Sequence, residues 1–194
     1  MYKLVINGGT PLNGSIKTSG SKNATLPIFF ASILADGPLR LFNTPQLSDV
    51  STTLRLLMDM GSNFVLEEDS SISIDSSNLT NLTAEYELVK TMRASILTLG
   101  PMLSKYKKAK ISLPGGCAIG TRPVNLHLSA LEKMGAKIEV KNGYIYASTN
   151  ELIGAQINFD LISVTATENI IMAATLAKGT TTINNAAQEP EVTD

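Results

Sequence analysis

The chain of 194 residues has one cysteine, one histidine and no tryptophan, and aromatic residues make up only 5% of it. A lone cysteine excludes an internal disulfide and a cysteine-rich metal centre, and it suits a reducing compartment. The lone histidine, His127, has no second histidine or carboxylate at ligand spacing, so no metal site is expected. Charge of one sign is also missing: 16 Lys and Arg face 17 Asp and Glu, a net charge of −1. That balance offers no broad basic face for nucleic acid. The short stretch SKYKKAK (Ser104 to Lys110) reads as the solvated exit of a helix. No run reaches the roughly 20 apolar residues of a membrane span, and the opening MYKLVINGG lacks the form of a signal peptide. The expectation is a cytoplasmic protein without membrane or nucleic-acid partners.

What is present is a globular composition, 43% hydrophobic and 17% charged, enough for one good core or two small ones. Helix-like and strand-like segments alternate. Leu4–Ile6 and Ser15–Thr18 read as a hairpin around the turn-rich NGGTPLNG. A helix is expected over Ala24–Leu34, then a strand LRLFN, a helix over Thr52–Met60, and an antiparallel pair SNFVLEE and SISIDSS. The order then recurs. TMRASILTLGPMLSKY reads as a helix, KAKISLP as a strand and VNLHLSALEKMG as a second helix, followed by a hairpin turning at Asn142-Gly143. Met60-Gly61 reappears as Met134-Gly135, 74 residues later. A third pass runs through AQINFD, the helix ATENIIMAATLA and KGTTTINNA.

Helix-start residues follow the same repeat. Ser51, Asn125 and Asp194 are N-cap types, whose side-chain oxygens can accept from unpaired N–H groups of a first turn. Asp194 is the last residue, so the third unit stops where its second helix should begin, and the chain reads as a fragment.

Two stretches stand out chemically. In LPGGCAIGTRPVNLHL, Cys117 sits among Gly115, Gly116 and Gly120 with Arg122 nearby. Glycines let backbone N–H groups approach a ligand, and an arginine stabilises a thiolate or an anion. A buried, inert thiol remains an open alternative on local grounds. In TSGSKNATLPI, Lys22 and Asn23 open a helix, where exposed N–H groups favour phosphate or carboxylate. A capped helix with a solvated lysine reads equally well. Arg93 opens the corresponding helix of the second unit, either as a phosphate ligand or as an ordinary exposed arginine. His127 lies on an apolar helix side and reads as structural. Glu189 and Glu191 read as a solvated acidic turn.

The segments SGSKNATLPI, VKTMRASILTLGPML, LPGGCAIGTRPVNLHLSALEKMGA, SVTATENIIMAATLAKGTT and NAAQEPEVTD closely resemble the UDP-N-acetylglucosamine 1-carboxyvinyltransferases, the enolpyruvyl transferases that open peptidoglycan synthesis and so cell-wall biogenesis. The resemblance covers the chain in order, and complete members are roughly twice its length. It implies an α/β fold, an inside-out barrel domain of repeated βαβαββ units with helices inside, here with the third unit truncated. Residues 1–21 would belong to the second domain of the intact enzyme, and residues 22–194 to the first. The implied substrates are phosphoenolpyruvate and UDP-N-acetylglucosamine, with no cofactor.

By the same resemblance Cys117 is the general acid, the site of a phosphoenolpyruvate adduct and the thiol that fosfomycin alkylates. Lys22 and Arg122 would hold phosphate and carboxylate. Asn23 would touch the sugar, Arg93 the nucleotide sugar, and Arg122, Pro123, Val124, Asn125 and Leu126 the uridine; Ser163 and Val164 complete the set. Three positions depart from the pattern: Asn125 stands where many relatives have aspartate, Leu161 where some have lysine, and Thr165 where glycine is frequent. The family's second domain, a missing partner here, supplies an aspartate and arginines, so the chain alone is expected to be inactive. Two alternatives are a shikimate-pathway enolpyruvyl transferase, which lacks the cysteine loop, and a non-catalytic nucleotide-sugar-binding domain.

Overall fold

The computed structural model describes residues 3–69, 71–90, 92–113 and 124–193. Unit one contains α1 (Lys22–Ala31), continued by a 3-10 turn to Leu34, then β1 (Leu39–Leu41), α2 (Ser48–Asp59), β2 (Asn63–Leu66) and β3 (Ile72–Asp75). Unit two contains β4 (Thr83–Ala84), α3 (Tyr86–Val89), a 3-10 segment Arg93–Thr98 running into α4 (Leu99–Tyr106), β5 (Lys108–Ser112), α5 (Asn125–Lys133), β6 (Lys137–Lys141) and β7 (Tyr144–Ser148). Unit three contains β8 (Gln156–Asn158), α6 (Val164–Ala174), β9 (Thr182–Asn184) and α7 (Pro190–Thr193).

Three small sheets follow the three units, in the orders β1-β3-β2, β4-β5-β7-β6 and β8-β9. In the first two, the last strand of the unit enters between two earlier ones. The opening strand pairs in parallel in units two and three, β4 with β5 and β8 with β9. The hairpin β6–β7 turns at Asn142-Gly143, both with positive φ (51° and 77°), as a two-residue type I′ turn requires.

Helices occupy the middle. Leu99 to Ser104 of α4 are all buried, as are Ala166 to Ile170 of α6 and Phe29 and Phe30 of α1. The sheets lie outside with one face inward: Ile111 opposes Ile145 in the core, while Lys110 opposes Tyr146 on the outer face. This is the expected inside-out α/β arrangement of repeated units.

The repeat is visible in backbone detail. Gly61 and Gly135, at φ 109° and 95°, end α2 and α5. Each is followed by the same bond, Ser62 N–H to Leu57 O at 2.9 Å and Ala136 N–H to Leu131 O at 3.0 Å. Such a left-handed residue after the last turn satisfies orphan carbonyls at a helix C-terminus. The openings of α1 and α6 match too. Ser21 Oγ accepts from Ala24 N and Ser163 Oγ from Ala166 N, both at 3.3 Å. Thr25 and Thr167 donate back to the cap carbonyls at 2.7 and 2.8 Å.

Four expectations are corrected. No strand forms over residues 3–18, and Leu4, Ile6, Leu12 and Ile16 are exposed. Turn residues alone do not hold a two-stranded hairpin that lacks a surface to pack on. Helix α2 begins at Ser48, so Ser51 lies inside it; Leu47 takes the cap position without a side-chain bond. Asn125 is the first helical residue of α5, with Val124 at the cap, while Asp194 lies outside the described residues. The helix expected over Thr91–Tyr106 is 3-10 as far as Thr98 and α-helical only from Leu99. Pro101 cannot donate to the carbonyl of Leu97, so an α-helix continuous through this point would lose a bond and gain a clash.

Candidate functional site

Lys22 and Asn23 are both exposed on the first turn of α1. The Lys22 ammonium is paired with Asp49 Oδ2 at 3.0 Å, across from the first turn of α2. The start of α1 is tied to the end of β1, where Gly20 N donates to Asn43 O at 3.0 Å. Cation and helix N-terminus together form a place suited to an anion.

A separate cavity of about 420 Å³ opens where the 3-10 segment, the start of α5 and the start of α6 converge. Its wall includes Arg93, Val124, Leu126, Ser163 and Val164, five of the expected substrate-binding residues, together with His127 and Thr165. Asn125 is exposed on α5 but does not line it, and neither do Lys22 and Asn23. Cys117, Arg122 and Pro123 lie outside the described residues. The volume suits a small organic ligand. The first N–H groups of α6 lack helical partners and lie beside Arg93, which gives this wall a positive character. Leu161 contributes an apolar side chain to the rim.

A larger hollow of about 810 Å³ lies on the outer face of the four-stranded sheet, lined by Lys108, Lys110, Lys137 and Tyr146 among others. No expected site residue reaches it.

His127 is buried, and burial, reinforced by the nearby Arg93 charge, lowers its pKa to about 4, so the ring is neutral near pH 7. Its Nδ1 is 2.9 Å from Asn169 Nδ2. Glu168, adjacent on α6, is 6% exposed. Burial first, then the charges of Glu191 and Glu189, push its pKa up to about 7. Glu189 is half-buried with Oε2 lacking a hydrogen-bond partner among the described residues, so this is not the solvated acidic turn expected from sequence. Asp49, Asn169 and Glu168 carried no isolated sequence signal, except that Glu168-Asn169 interrupts an otherwise apolar helix. Among the described residues no group of three His, Cys, Asp or Glu side chains could hold a metal ion. Nor is any of their helices long and apolar enough to cross a membrane.

The inward helices and repeated units define an enolpyruvyl-transferase fold, shared at TM-score 0.80 with the enolpyruvyl transferase NikO from Streptomyces tendae, over 96% of this chain and 44% of that one at 20% identity. The profile of the EPSP synthase (3-phosphoshikimate 1-carboxyvinyltransferase) family matches residues 6–194, and the chain belongs to that family. Among curated relatives it is 76% identical to the UDP-N-acetylglucosamine 1-carboxyvinyltransferase of Ruthia magnifica subsp. Calyptogena magnifica and 55% identical to that of Hydrogenovibrio crunogenus. Each match covers all of this chain and 46% of the relative, so the chain spans about half their length.

Proposed function

We propose that the protein to which this chain belongs transfers the enolpyruvyl group of phosphoenolpyruvate to the 3-hydroxyl of UDP-N-acetylglucosamine and releases phosphate. The observation that carries this reading is the 76% identity, over the whole chain, to a relative named for that reaction. A 3-phosphoshikimate acceptor is disfavoured, because the curated relatives at 55–76% identity are named for the nucleotide-sugar reaction and the Cys117 loop resembles theirs.

The chemistry divides among residues as follows. Cys117 donates a proton to C3 of phosphoenolpyruvate, which makes C2 electrophilic. The sugar hydroxyl then bonds through its oxygen to C2, giving a tetrahedral intermediate; the C3 proton returns to the Cys117 thiolate as the C2–O bond to phosphate breaks and the double bond is restored, and the hydroxyl's proton leaves with the phosphate. Lys22 and Arg122 hold phosphate and carboxylate and stabilise charge as it develops. Arg93, Ser163 and Val164, which share the 420 Å³ cavity wall, face the nucleotide sugar, with Val124 and Leu126 contributing apolar surface. Pro123 and Asn125 flank the uridine, and Asn23 meets the sugar. Residues 1–21 belong to a second domain and residues 22–194 to the first.

The chain spans 46% of the relatives, and the resemblance implies that residues closing over phosphoenolpyruvate come from the second domain. We expect the 194-residue chain alone to be inactive and at most to bind UDP-N-acetylglucosamine. This second reading, a binding half-site, is separated from catalysis by two measurements. Calorimetric titration of the chain with UDP-N-acetylglucosamine tests binding, and a phosphate-release assay tests turnover in the chain and in the full-length protein. Phosphate release by the 194-residue chain would refute the need for a second domain. No release by the full-length protein would refute the reaction itself. Treatment with fosfomycin followed by mass spectrometry should add one inhibitor to Cys117 in the full-length protein.

A further inference from the structure

Asn169 sits on α6 at the centre of a buried polar network, with every polar atom of its amide engaged. Its Oδ1 accepts from Gly100 N at 2.7 Å, and its Nδ2 reaches Ile96 O at 3.2 Å and His127 Nδ1 at 2.9 Å. The bond from Gly100 fixes which end of the amide is oxygen. Nδ2, with two protons, therefore donates to both remaining partners, and His127 Nδ1 must be the acceptor. A neutral ring with Nδ1 bare carries its proton on Nε2. That nitrogen lies 3.5 Å from the hydroxyl of Thr165.

Thr165 is one helical turn before Asn169, exposed, and part of the cavity wall in the first turn of α6. A hydroxyl that accepts from His127 Nε2–H has its own proton free to donate outward, into the cavity. The chain of bonds thus runs from the backbone of the 3-10 segment and α4, through Asn169 and His127, to a single donor at the cavity surface. Close contact locks its base, since a Cβ on Gly100 would fall 2.3 Å from Asn169 O.

We propose that His127 is a positioning residue for the nucleotide-sugar pocket, and that its Nε2–H orients the Thr165 hydroxyl to donate to an anionic oxygen of the nucleoside diphosphate. This rests on the functional reading above and deepens it. The neighbouring N–H groups of the α6 first turn favour the same anion.

The test uses His127→Asn, which keeps an acceptor at the Nδ1 position but has no Nε2–H, together with Thr165→Val and Thr165→Ser. Steady-state kinetics are measured in the full-length protein for both substrates. His127→Asn and Thr165→Val should each raise KM for UDP-N-acetylglucosamine roughly 3- to 10-fold, the worth of one hydrogen bond. KM for phosphoenolpyruvate should move less than about twofold. The double variant should be no worse than either single one, because both remove the same bond. Thr165→Ser should stay close to wild type. Nitrogen-15 NMR of the imidazole should show the proton on Nε2, a readout that does not depend on turnover.

A proton found on Nδ1, additive effects in the double variant, or an unchanged nucleotide-sugar KM in His127→Asn would each overturn the proposal while leaving the reaction intact. A full-length wild-type protein that does not turn over UDP-N-acetylglucosamine would overturn both. Should His127→Asn fail to fold, Thr165→Val, at an exposed position, and the imidazole nitrogen-15 spectrum of the wild type decide the question together.

Discussion

Lys22 Nζ and Asp49 Oδ2 meet at 3.0 Å and join the first turns of α1 and α2. Both side chains are more than a third exposed, at 42% and 36%, so the pair contributes little to folding. Under the function proposed above, Lys22 meets the phosphate of phosphoenolpyruvate, and Asp49, which holds that lysine, would compete with it. Asp49→Asn should change stability by no more than about 1 kcal/mol. It should also lower KM for phosphoenolpyruvate roughly twofold, and more at low than at high salt. Lys22→Ala should raise the same KM more than about tenfold. A higher KM in Asp49→Asn would show that the carboxylate positions Lys22 rather than competing for it.

His127 and Glu168 bend the pH dependence of stability in opposite directions. His127 falls from 6.5 to about 4, through burial and then Arg93. The unfolded chain therefore binds a proton that the folded chain refuses. Stability from this group is complete above about pH 6.5 and declines as pH drops toward 4. Glu168 rises from 4.5 to about 7, through burial and then Glu191 and Glu189. Here the folded chain keeps a proton that the unfolded chain releases, so stability is complete below about pH 4.5 and declines as pH rises through 7. Glu168→Gln should melt above wild type at pH 8 and level with it at pH 4.5, followed by circular dichroism. Equal losses at both values would mean that Glu168 makes a contact needed in either charge state.

The repeat was legible because its markers are local. A glycine just after a helix and an Asn-Gly turn impose positive φ, which sequence declares directly, and Gly61, Gly135 and Asn142-Gly143 all behave so. Helix starts were less legible: α2 begins three residues before Ser51, with Asp49 in its first turn and Val50 buried, a start that packing sets rather than a serine. The strands expected before Lys22 need neighbours that no local pattern supplies. The cavity wall was readable only in part, because it joins segments 93–96, 124–127 and 161–165. Resemblance marked Arg93, Val124, Leu126, Ser163 and Val164. It could not mark His127, whose role depends on an Asn169 bond spanning 42 residues.

Gly61 and Gly135 hold the same place in successive units but not the same surroundings. A Cβ on Gly61 would lie 2.7 Å from Thr80 Oγ1 and 2.8 Å from Thr80 N, whereas on Gly135 nothing comes nearer than 3.7 Å. Both alanine variants bear the cost of positive φ, roughly 1–2 kcal/mol. Gly61→Ala should add a backbone displacement, for a total of about 3 kcal/mol or more. Urea unfolding of the two variants compares them directly. Equal midpoints would mean that the Thr80 loop shifts at no cost.

Ser21 and Ser163 cap α1 and α6 through bonds of equal length, 3.3 Å, and each carbonyl accepts from a threonine four residues on. Their alanine variants should therefore lose similar stability, about 1 kcal/mol each. Binding should separate them. Ser163 lines the 420 Å³ cavity and Ser21 does not. Ser163→Ala should weaken the affinity of the full-length protein for UDP-N-acetylglucosamine roughly 5-fold by calorimetry, while Ser21→Ala leaves it within about twofold. If the two variants bind the nucleotide sugar equally well, Ser163 serves only its helix, and the pocket assignment loses that wall.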